Sequence, residues 1–180
     1  MAYAKQSTGI KSKAKNTSKA LATYTEDNTI SYVNTAYATY QSTPIILIGT
    51  VKKPESKMSP MEKMQQIQAG ISKKALEQFK NRASLDYDKL AKLLAVTRVT
   101  LINKPTAEKF NTVLSERILA LADIYSYGYD VFEDEQKFNQ WMFTENKALA
   151  GKTPFEVCNN QFGREEVKNI IGRIEYGVYS

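Results

Sequence analysis

The sequence has no histidine and only one cysteine, Cys158. These absences exclude a disulfide within the chain and leave a zinc site of the Cys/His type without ligands. Cys158 follows Val157 in an apolar helical pattern, which predicts a buried, unreactive thiol rather than a nucleophile. No run approaches the roughly 20 apolar residues of a membrane span, and the first residues lack the apolar core of a signal peptide. We therefore expect a reduced cytoplasmic protein without metal or cofactor.

Catalytic constellations are also missing. Three pairs of acidic residues are predicted at helix starts, where the helix dipole accounts for them without catalysis: Asp86/Asp88, Asp134/Glu135 and Glu165/Glu166. The Gly-Arg-Glu-Glu stretch at 163–166 lacks the spacing of a glycine-rich phosphate loop. Nothing favours an enzyme, so we expect a binding protein.

Charge divides the chain into three parts. Residues 1–57 carry eight basic and three acidic side chains, and residues 58–109 carry ten basic and five acidic ones. Residues 110–180 reverse the balance, with seven basic and eleven acidic side chains. A basic middle beside an acidic end indicates two surfaces, one for a polyanion and one for a protein.

The first part, 1–57, is a low-complexity region that we expect to be flexible. It is rich in Ala, Ser, Thr, Lys and Asn and poor in large aliphatic residues, so it buries little area to offset the entropy of ordering. Its tyrosines allow partial docking, and its lysines suit either a solvated tail or a nucleic-acid arm. A β-branched run predicts one short strand at 45–51, which would pair with another strand, for example in a second protomer.

The second part, 58–109, is helical throughout. Ser59, Ser72, Asp86 and Thr97 are placed as helix N-caps, and Pro105 prevents the last helix from running far past Asn103. The last two helices resemble a helix-turn-helix unit, with Ala95 at the turn. A three-helix bundle without DNA contacts gives a similar pattern, so spacing alone leaves both interpretations open.

The short second helix of this unit offers side chains suited to DNA. Arg and Asn can read base edges, Lys can hold phosphate, and Thr hydroxyls can contact either. Val99 and Leu101 of this helix are predicted to be buried. The candidate DNA-binding residues, polar around these two, are Thr97, Arg98, Thr100, Asn103 and Lys104. So short a helix needs a dimer bound to two half-sites for useful affinity. The alternative is a solvated basic face.

The third part, 110–180, is predicted to be a helical dimerisation and binding domain. An amphipathic helix runs over 113–125, and Asp134 begins another whose apolar set is Phe138, Trp141 and Met142. That set is either core or a dimer face. Two more helices begin at Thr153 and after Gly163, the first through a capping box with Glu156.

The last thirty-five residues carry a family resemblance. Asn146, Leu149, Gly151-Lys152-Thr153-Pro154 and the closing 172–179, GRIEYGVY, resemble the toxin-binding domain of the Xre/MbcA/ParS antitoxins. The family pattern has a glycine pair where this chain has Ala150-Gly151. The family also places an Xre-like helix-turn-helix before this domain, which favours the DNA-binding interpretation of 58–109.

The resemblance implies a mainly α-helical antitoxin of a type II toxin–antitoxin pair. Its C-terminal domain would cover the active-site entrance of a RES-domain toxin that consumes NAD, and its helix-turn-helix would bind the operator of the shared operon as a homodimer or larger assembly. The implied toxin-binding residues are Asn146, Leu149, Gly151, Lys152, Arg173, Tyr176 and Tyr179. For Tyr176 and Tyr179, the other interpretation is that they seal the terminal helix. A free-standing transcriptional regulator with a helical dimerisation domain is the alternative function.

Overall fold

A computed structural model describes residues 22–24, 30–32, 48 and 53–178 of the chain, which divides into two compact units, Met1–Thr43 and Pro44–Ser180. In the first unit, β1 (Ala22–Tyr24) pairs antiparallel with β2 (Ile30–Tyr32), with Thr23 opposite Ser31. This pair of strands was not predicted, because three-residue strands are too short to show an alternating pattern. The strand predicted at 45–51 lies outside the described residues except for Ile48, which lies at a bend.

The second unit is helical over its described residues, which confirms the mainly α class. Its elements are a 3₁₀ turn (Glu55–Lys57), α1 (Pro60–Ala69), α2 (Lys73–Arg82), α3 (Tyr87–Leu94), α4 (Arg98–Ile102), α5 (Thr112–Phe132), α6 (Glu135–Trp141), a second 3₁₀ turn (Lys147–Leu149), α7 (Pro154–Val157) and α8 (Gln161–Glu175).

The predicted helix starts are confirmed wherever a capping side chain marked them. Ser59 and Thr153 each form a full capping box, with Glu62 and Glu156 respectively. The predicted start of α8 after Gly163 is wrong: Asn160 caps the helix, and its side-chain oxygen accepts a hydrogen bond of 3.0 Å from the Gly163 amide. Glu165 and Glu166 therefore lie one turn inside α8 rather than at its start.

Helix α5 is the centre of the unit. Its apolar stripe of Leu114, Ile118, Leu121, Ala122 and Tyr125 is buried as predicted, but the helix continues about two turns beyond 125, to Phe132. Most residues from 118 to 129 are buried, so the helix is enclosed on every side. A helix that is buried all round must be enclosed by other elements. Helices α1, α3, α6 and α8 and the first 3₁₀ turn all pack against it.

An aromatic cluster joins α5 to α6. Phe138 packs edge-to-face on Tyr125, Tyr129 and Phe132, with ring centroids 5.3 to 5.4 Å apart. Gly128 makes this approach possible, because a Cβ there would lie 2.0 Å from the Phe138 ring. Phe138 and Met142 are fully buried within one chain, so they belong to the core rather than to a dimer face.

The hydroxyl groups of two tyrosines in this cluster differ in their hydrogen bonding. The Tyr125 hydroxyl is fully buried and has no hydrogen-bond partner among the residues that the structure describes. The Tyr129 hydroxyl lies 2.8 Å from Asn139 Oδ1 and 3.2 Å from the Arg82 carbonyl oxygen. We expect Tyr125→Phe to raise the free energy of unfolding by about 1 kcal/mol, because it removes an unpaired buried hydroxyl. Tyr129→Phe is the matched control and should lower it by about 1 kcal/mol. Urea unfolding measures both, and a loss of stability in Tyr125→Phe would contradict the expectation.

Candidate functional site

Helices α3 and α4 form a helix-turn-helix held against α5. The turn residue Ala95 adopts a left-handed conformation with φ 50°, and the Val96 amide donates a hydrogen bond of 3.0 Å to the Ala91 carbonyl oxygen. Leu101 is buried, as predicted for the inner position of the second helix. From α5, Arg117 donates a hydrogen bond of 2.8 Å to the Leu94 carbonyl oxygen at the end of α3. This guanidinium fixes the turn on the central helix and complements the helix dipole.

The outer face of α4 presents four of the five candidate DNA-binding residues. Thr97, Arg98, Thr100 and Asn103 are exposed. The Arg98 guanidinium lies 3.2 Å from the Asp88 carboxylate on α3, and both side chains are more than half exposed. An exposed pair of this kind contributes little stability, so Arg98 can exchange Asp88 for another anion. Val99 is also exposed, and its predicted burial beside Leu101 is wrong because helix residues two apart point to different sides.

The fifth candidate, Lys104, is oriented differently. Its ammonium lies 3.3 Å from the Glu108 carboxylate and 5.5 Å from the centre of the Phe110 ring, and its side chain is largely covered. Lys73 is likewise engaged, because it donates a hydrogen bond of 2.5 Å to the Ile102 carbonyl oxygen at the end of α4. These two lysines therefore hold α4 in place and are poorly placed to hold a phosphate.

The 146–152 segment is a closed loop. The amide of Asn146 donates to the Lys152 carbonyl oxygen over 3.1 Å, the amide of Gly151 donates to the Asn146 carbonyl oxygen over 3.0 Å, and the Asn146 side chain caps the 3₁₀ turn. Leu149 is buried and holds the loop on the core, whereas Gly151 and Lys152 are exposed. Ala150 adopts φ 55° where the family pattern has glycine, so the loop keeps a left-handed backbone without a glycine at that position.

The closing motif forms the C-cap of α8 and also exposes side chains to solvent. Gly177 has φ 66°, and its amide bonds the Ile174 carbonyl oxygen while the Val178 amide bonds the Arg173 carbonyl oxygen over 2.9 Å. This pair of hydrogen bonds is a Schellman motif, which needs a left-handed residue after the helix. The glycine of the motif thus ends α8 and turns Val178 back along it. The Tyr176 side chain does not seal the helix, because 79% of it is exposed.

Arg173 and Tyr176 lie in an open groove of about 800 Å³. Its walls come from α8, from Tyr127 of α5 and from the first 3₁₀ turn. Gly172 lies opposite Tyr127, and a Cβ there would lie 3.4 Å from the Tyr127 hydroxyl, an ordinary van der Waals contact. The residues that line it are Ser56, Lys57, Tyr127, Glu166, Lys168, Asn169, Gly172, Arg173, Tyr176 and Val178.

The structure therefore brings together only part of the predicted toxin-binding set. No residue of the 146–152 loop lines the groove, so the loop and the closing motif are separate surfaces among the described residues. Tyr179 lies outside the described residues. Ser56, Lys57 and Tyr127 could not be found from the sequence, because their place beside α8 depends on packing that no local pattern reveals.

Ion pairs fix the cations of the groove. The Arg173 guanidinium lies 2.6 Å from the carboxylate of Glu166, which is about two turns earlier in α8. The Lys168 ammonium lies 2.6 Å from the Asp123 carboxylate of α5. Asp123 is only 9% exposed and also accepts a hydrogen bond of 2.7 Å from Lys63 of α1. One buried carboxylate thus joins three helices.

Other chemistry is not apparent in the part of the chain that the structure describes. Burial raises the pKa of the Cys158 thiol to about 12, so its thiolate is scarce at neutral pH, as predicted for an unreactive cysteine. The described residues hold no group of three side chains able to bind a metal ion. None of the described helices is long and apolar enough to cross a membrane.

Comparison with known protein families finds two domain matches, one that contains the helix-turn-helix and one that contains the C-terminal helices. Residues 62–123 match the antitoxin Xre-like helix-turn-helix domain, and residues 128–177 match the antitoxin Xre/MbcA/ParS C-terminal toxin-binding domain. The chain belongs to the Xre/MbcA/ParS antitoxin family. The toxin-binding match of this antitoxin-family chain begins inside α5 and ends at Gly177. The division into 1–57, 58–109 and 110–180 stays a prediction.

Two relatives carry the name Antitoxin Xre. The protein from Photorhabdus laumondii is 34% identical over 73 residues, which are 40% of this chain and 49% of the relative. The protein from Yersinia enterocolitica is 28% identical over 116 residues, which are 63% of this chain and 78% of the relative. The chain thus spans about half the length of the first relative. Both names are those of antitoxins rather than enzymes, in agreement with the expectation from sequence.

Substitution of Asp123 tests how much its two ion pairs stabilise the helical unit. Asp123→Asn leaves two ammonium groups without their buried carboxylate, so we expect the free energy of unfolding to fall by about 2 kcal/mol. Asp88→Asn is the control, because its exposed pair with Arg98 should contribute less than about 0.5 kcal/mol. Equal effects in urea unfolding would show that the cluster does not organise the core.

Proposed function

We propose that this chain is a type II antitoxin that binds its cognate toxin through the groove along α8. The observation that carries the proposal is the exposed Tyr176 beside Arg173 in a groove at the family's closing motif. Tyrosine and arginine are the residue types most often found as interface anchors, because they combine rigid area with directional hydrogen bonds. An aromatic side chain that leaves nearly all its surface in water gains most from burial in a partner.

The loop at 146–152 supplies a second toxin contact in this proposal. Its closed backbone holds Lys152 and Gly151 at the surface without a cost of ordering on binding. Asn146 and Leu149 act behind them, since the first caps the turn and the second anchors it in the core.

We further propose that the toxin is a RES-domain enzyme acting on NAD and that the antitoxin covers its active-site entrance. The excess of acidic residues in 110–180 suits a basic cleft that binds a dinucleotide phosphate. Lys152 and Arg173 would contact acidic toxin residues or fill the space of the NAD phosphates.

Tyr176→Ala tests the toxin-binding proposal. We expect it to weaken binding to the toxin encoded beside this gene by at least about thirtyfold, the size of an interface hot spot, and to abolish rescue of cells that express the toxin. Phe162→Ala is a matched control, because Phe162 is an aromatic of α8 that is 81% exposed but does not line the groove.

Calorimetric titration measures the binding, and circular dichroism should show unchanged helix content in both variants. If Tyr176→Ala binds and rescues as well as the unsubstituted chain, the closing motif is structural and the toxin contact lies elsewhere. A neighbouring gene for a protein without a RES domain would contradict the choice of toxin.

DNA binding is the second part of the proposal. We propose that α4 enters the major groove of the operator with Thr97, Arg98, Thr100 and Asn103, and that the antitoxin thereby regulates its own operon. A helix of five residues reads few bases, so the proposal includes a homodimer or larger assembly on two half-sites.

Arg98→Ala combined with Asn103→Ala tests this part. We expect at least about tenfold weaker binding to the DNA upstream of the gene, together with a shallower dependence on salt, because one cation and one base contact are lost. Lys137→Ala is the control, since it removes an exposed cation from α6, away from α4.

A gel-shift titration at several salt concentrations measures both quantities. If the control loses as much affinity as the double variant, binding depends on net charge and α4 does not read DNA. If none of the proteins binds upstream DNA while toxin binding persists, the helix-turn-helix serves a structural role.

A further inference from the structure

One wall of the groove comes from a segment that precedes the helix-turn-helix. The Ser56 amide donates to the Ser126 hydroxyl over 3.3 Å, and the two hydroxyls lie 3.0 Å apart. The Lys57 ammonium lies 2.6 Å from the Asp130 carboxylate. Met58 is buried directly after it. These contacts with α5 hold Ser56 and Lys57 beside the C-terminal motif, although more than 110 residues separate them in sequence.

This wall lies outside both family matches, which cover 62–123 and 128–177. We propose that Ser56 and Lys57 form part of the toxin-binding surface and that Lys57 contacts a carboxylate of the toxin. The inference rests on the proposed function, since it assigns the groove to the same partner. It gives the stretch before the helix-turn-helix a role in recognition.

The composition of the groove identifies the chemistry of the toxin segment. Three cations line it, Lys57, Lys168 and Arg173, and each is paired with a carboxylate, Asp130, Asp123 and Glu166 respectively. Apolar area comes from Tyr176, Val178 and Tyr127, and the first two are mostly exposed. The exposed aromatic area beside the half-exposed Lys57 ammonium fits a chain segment that carries an acidic side chain beside an apolar one.

Lys57 is the cation best able to make such a contact. Its side chain is 57% exposed and its partner Asp130 is 51% exposed, whereas Lys168 is tied to the buried Asp123. An ammonium group has three donors, so Lys57 can keep Asp130 and still bind a second carboxylate. Hydrogen bonding to Asp130 raises the pKa of Lys57, and a lysine side chain is charged at neutral pH even without this shift.

The test compares two lysines of the same stretch. Lys57→Ala should weaken binding to the toxin encoded beside this gene by about fivefold or more, the effect of losing one charged interface contact. Lys53→Ala is the matched control, because Lys53 pairs with Glu62 at 2.7 Å and does not line the groove, and it should change affinity by less than about twofold. Thermal unfolding of both variants verifies that the fold is intact.

Exchanging the charges of Lys57 and Asp130 tests whether Lys57 contacts the toxin or only holds the groove wall in place. In Lys57→Asp combined with Asp130→Lys, the pair between the 3₁₀ turn and α5 can re-form, but the positive charge is moved. We expect this variant to stay as weak as Lys57→Ala. Restored binding would mean that Lys57 acts only by holding the wall, which overturns the proposed contact.

Acylation of the unsubstituted protein with an amine-reactive ester gives a readout without mutation. Lys57 should be protected in the toxin complex and reactive in the free protein, while Lys53 should react equally in both. Toxin binding with no protection at Lys57 and no loss in Lys57→Ala overturns this inference and leaves the proposed function standing. Absence of toxin binding by the unsubstituted chain overturns the proposed function instead.

Discussion

A buried carboxylate held between two ammonium groups is the constraint on which the second unit depends. Asp123 lies inside α5 and receives Lys63 from α1 and Lys168 from α8. Burying a lone charge costs several kcal/mol, and removal of one partner leaves that cost uncompensated. Helices α1 and α8 must therefore meet α5 at the same level. One belongs to the helix-turn-helix match and the other to the toxin-binding match, so the cluster joins the two matched domains physically.

Both candidate surfaces are short elements positioned by this central helix. Arg117 of α5 fixes the turn before α4, and Tyr127 of α5 forms the floor of the groove beside α8. Neither α4 nor the closing motif contains enough residues to be stable alone, because isolated helices below about 12 residues are marginal in water. Recognition residues on such elements are well ordered only when a core holds them. In this antitoxin-family chain, one buried helix supplies that core for both.

Much of the helical architecture could be predicted from local chemistry, and the errors have physical causes. Ser59, Asp86, Thr97, Asp134 and Thr153 marked helix starts correctly, because a capping hydrogen bond involves residues only two or three apart. The predicted end of α5 at residue 125 is too early. Gly128 lies inside the helix, because the Phe138 ring occupies the space that a Cβ would need. The start of α8 was placed too late for a similar reason, as a Cβ at Gly163 would lie 1.7 Å from the Val157 carbonyl oxygen.

The sequence by itself determined the helical class, most helix starts, the buried Cys158 and the family motifs, because these depend on composition and on residues close together along the chain. Only the tertiary structure decided which functional candidates share a surface. Packing of segments distant in sequence buried Leu149 in the core and placed Lys57 in one groove with Tyr176. Such neighbours are set by the shape of the core and by long-range ion pairs, and no pattern within one segment encodes them.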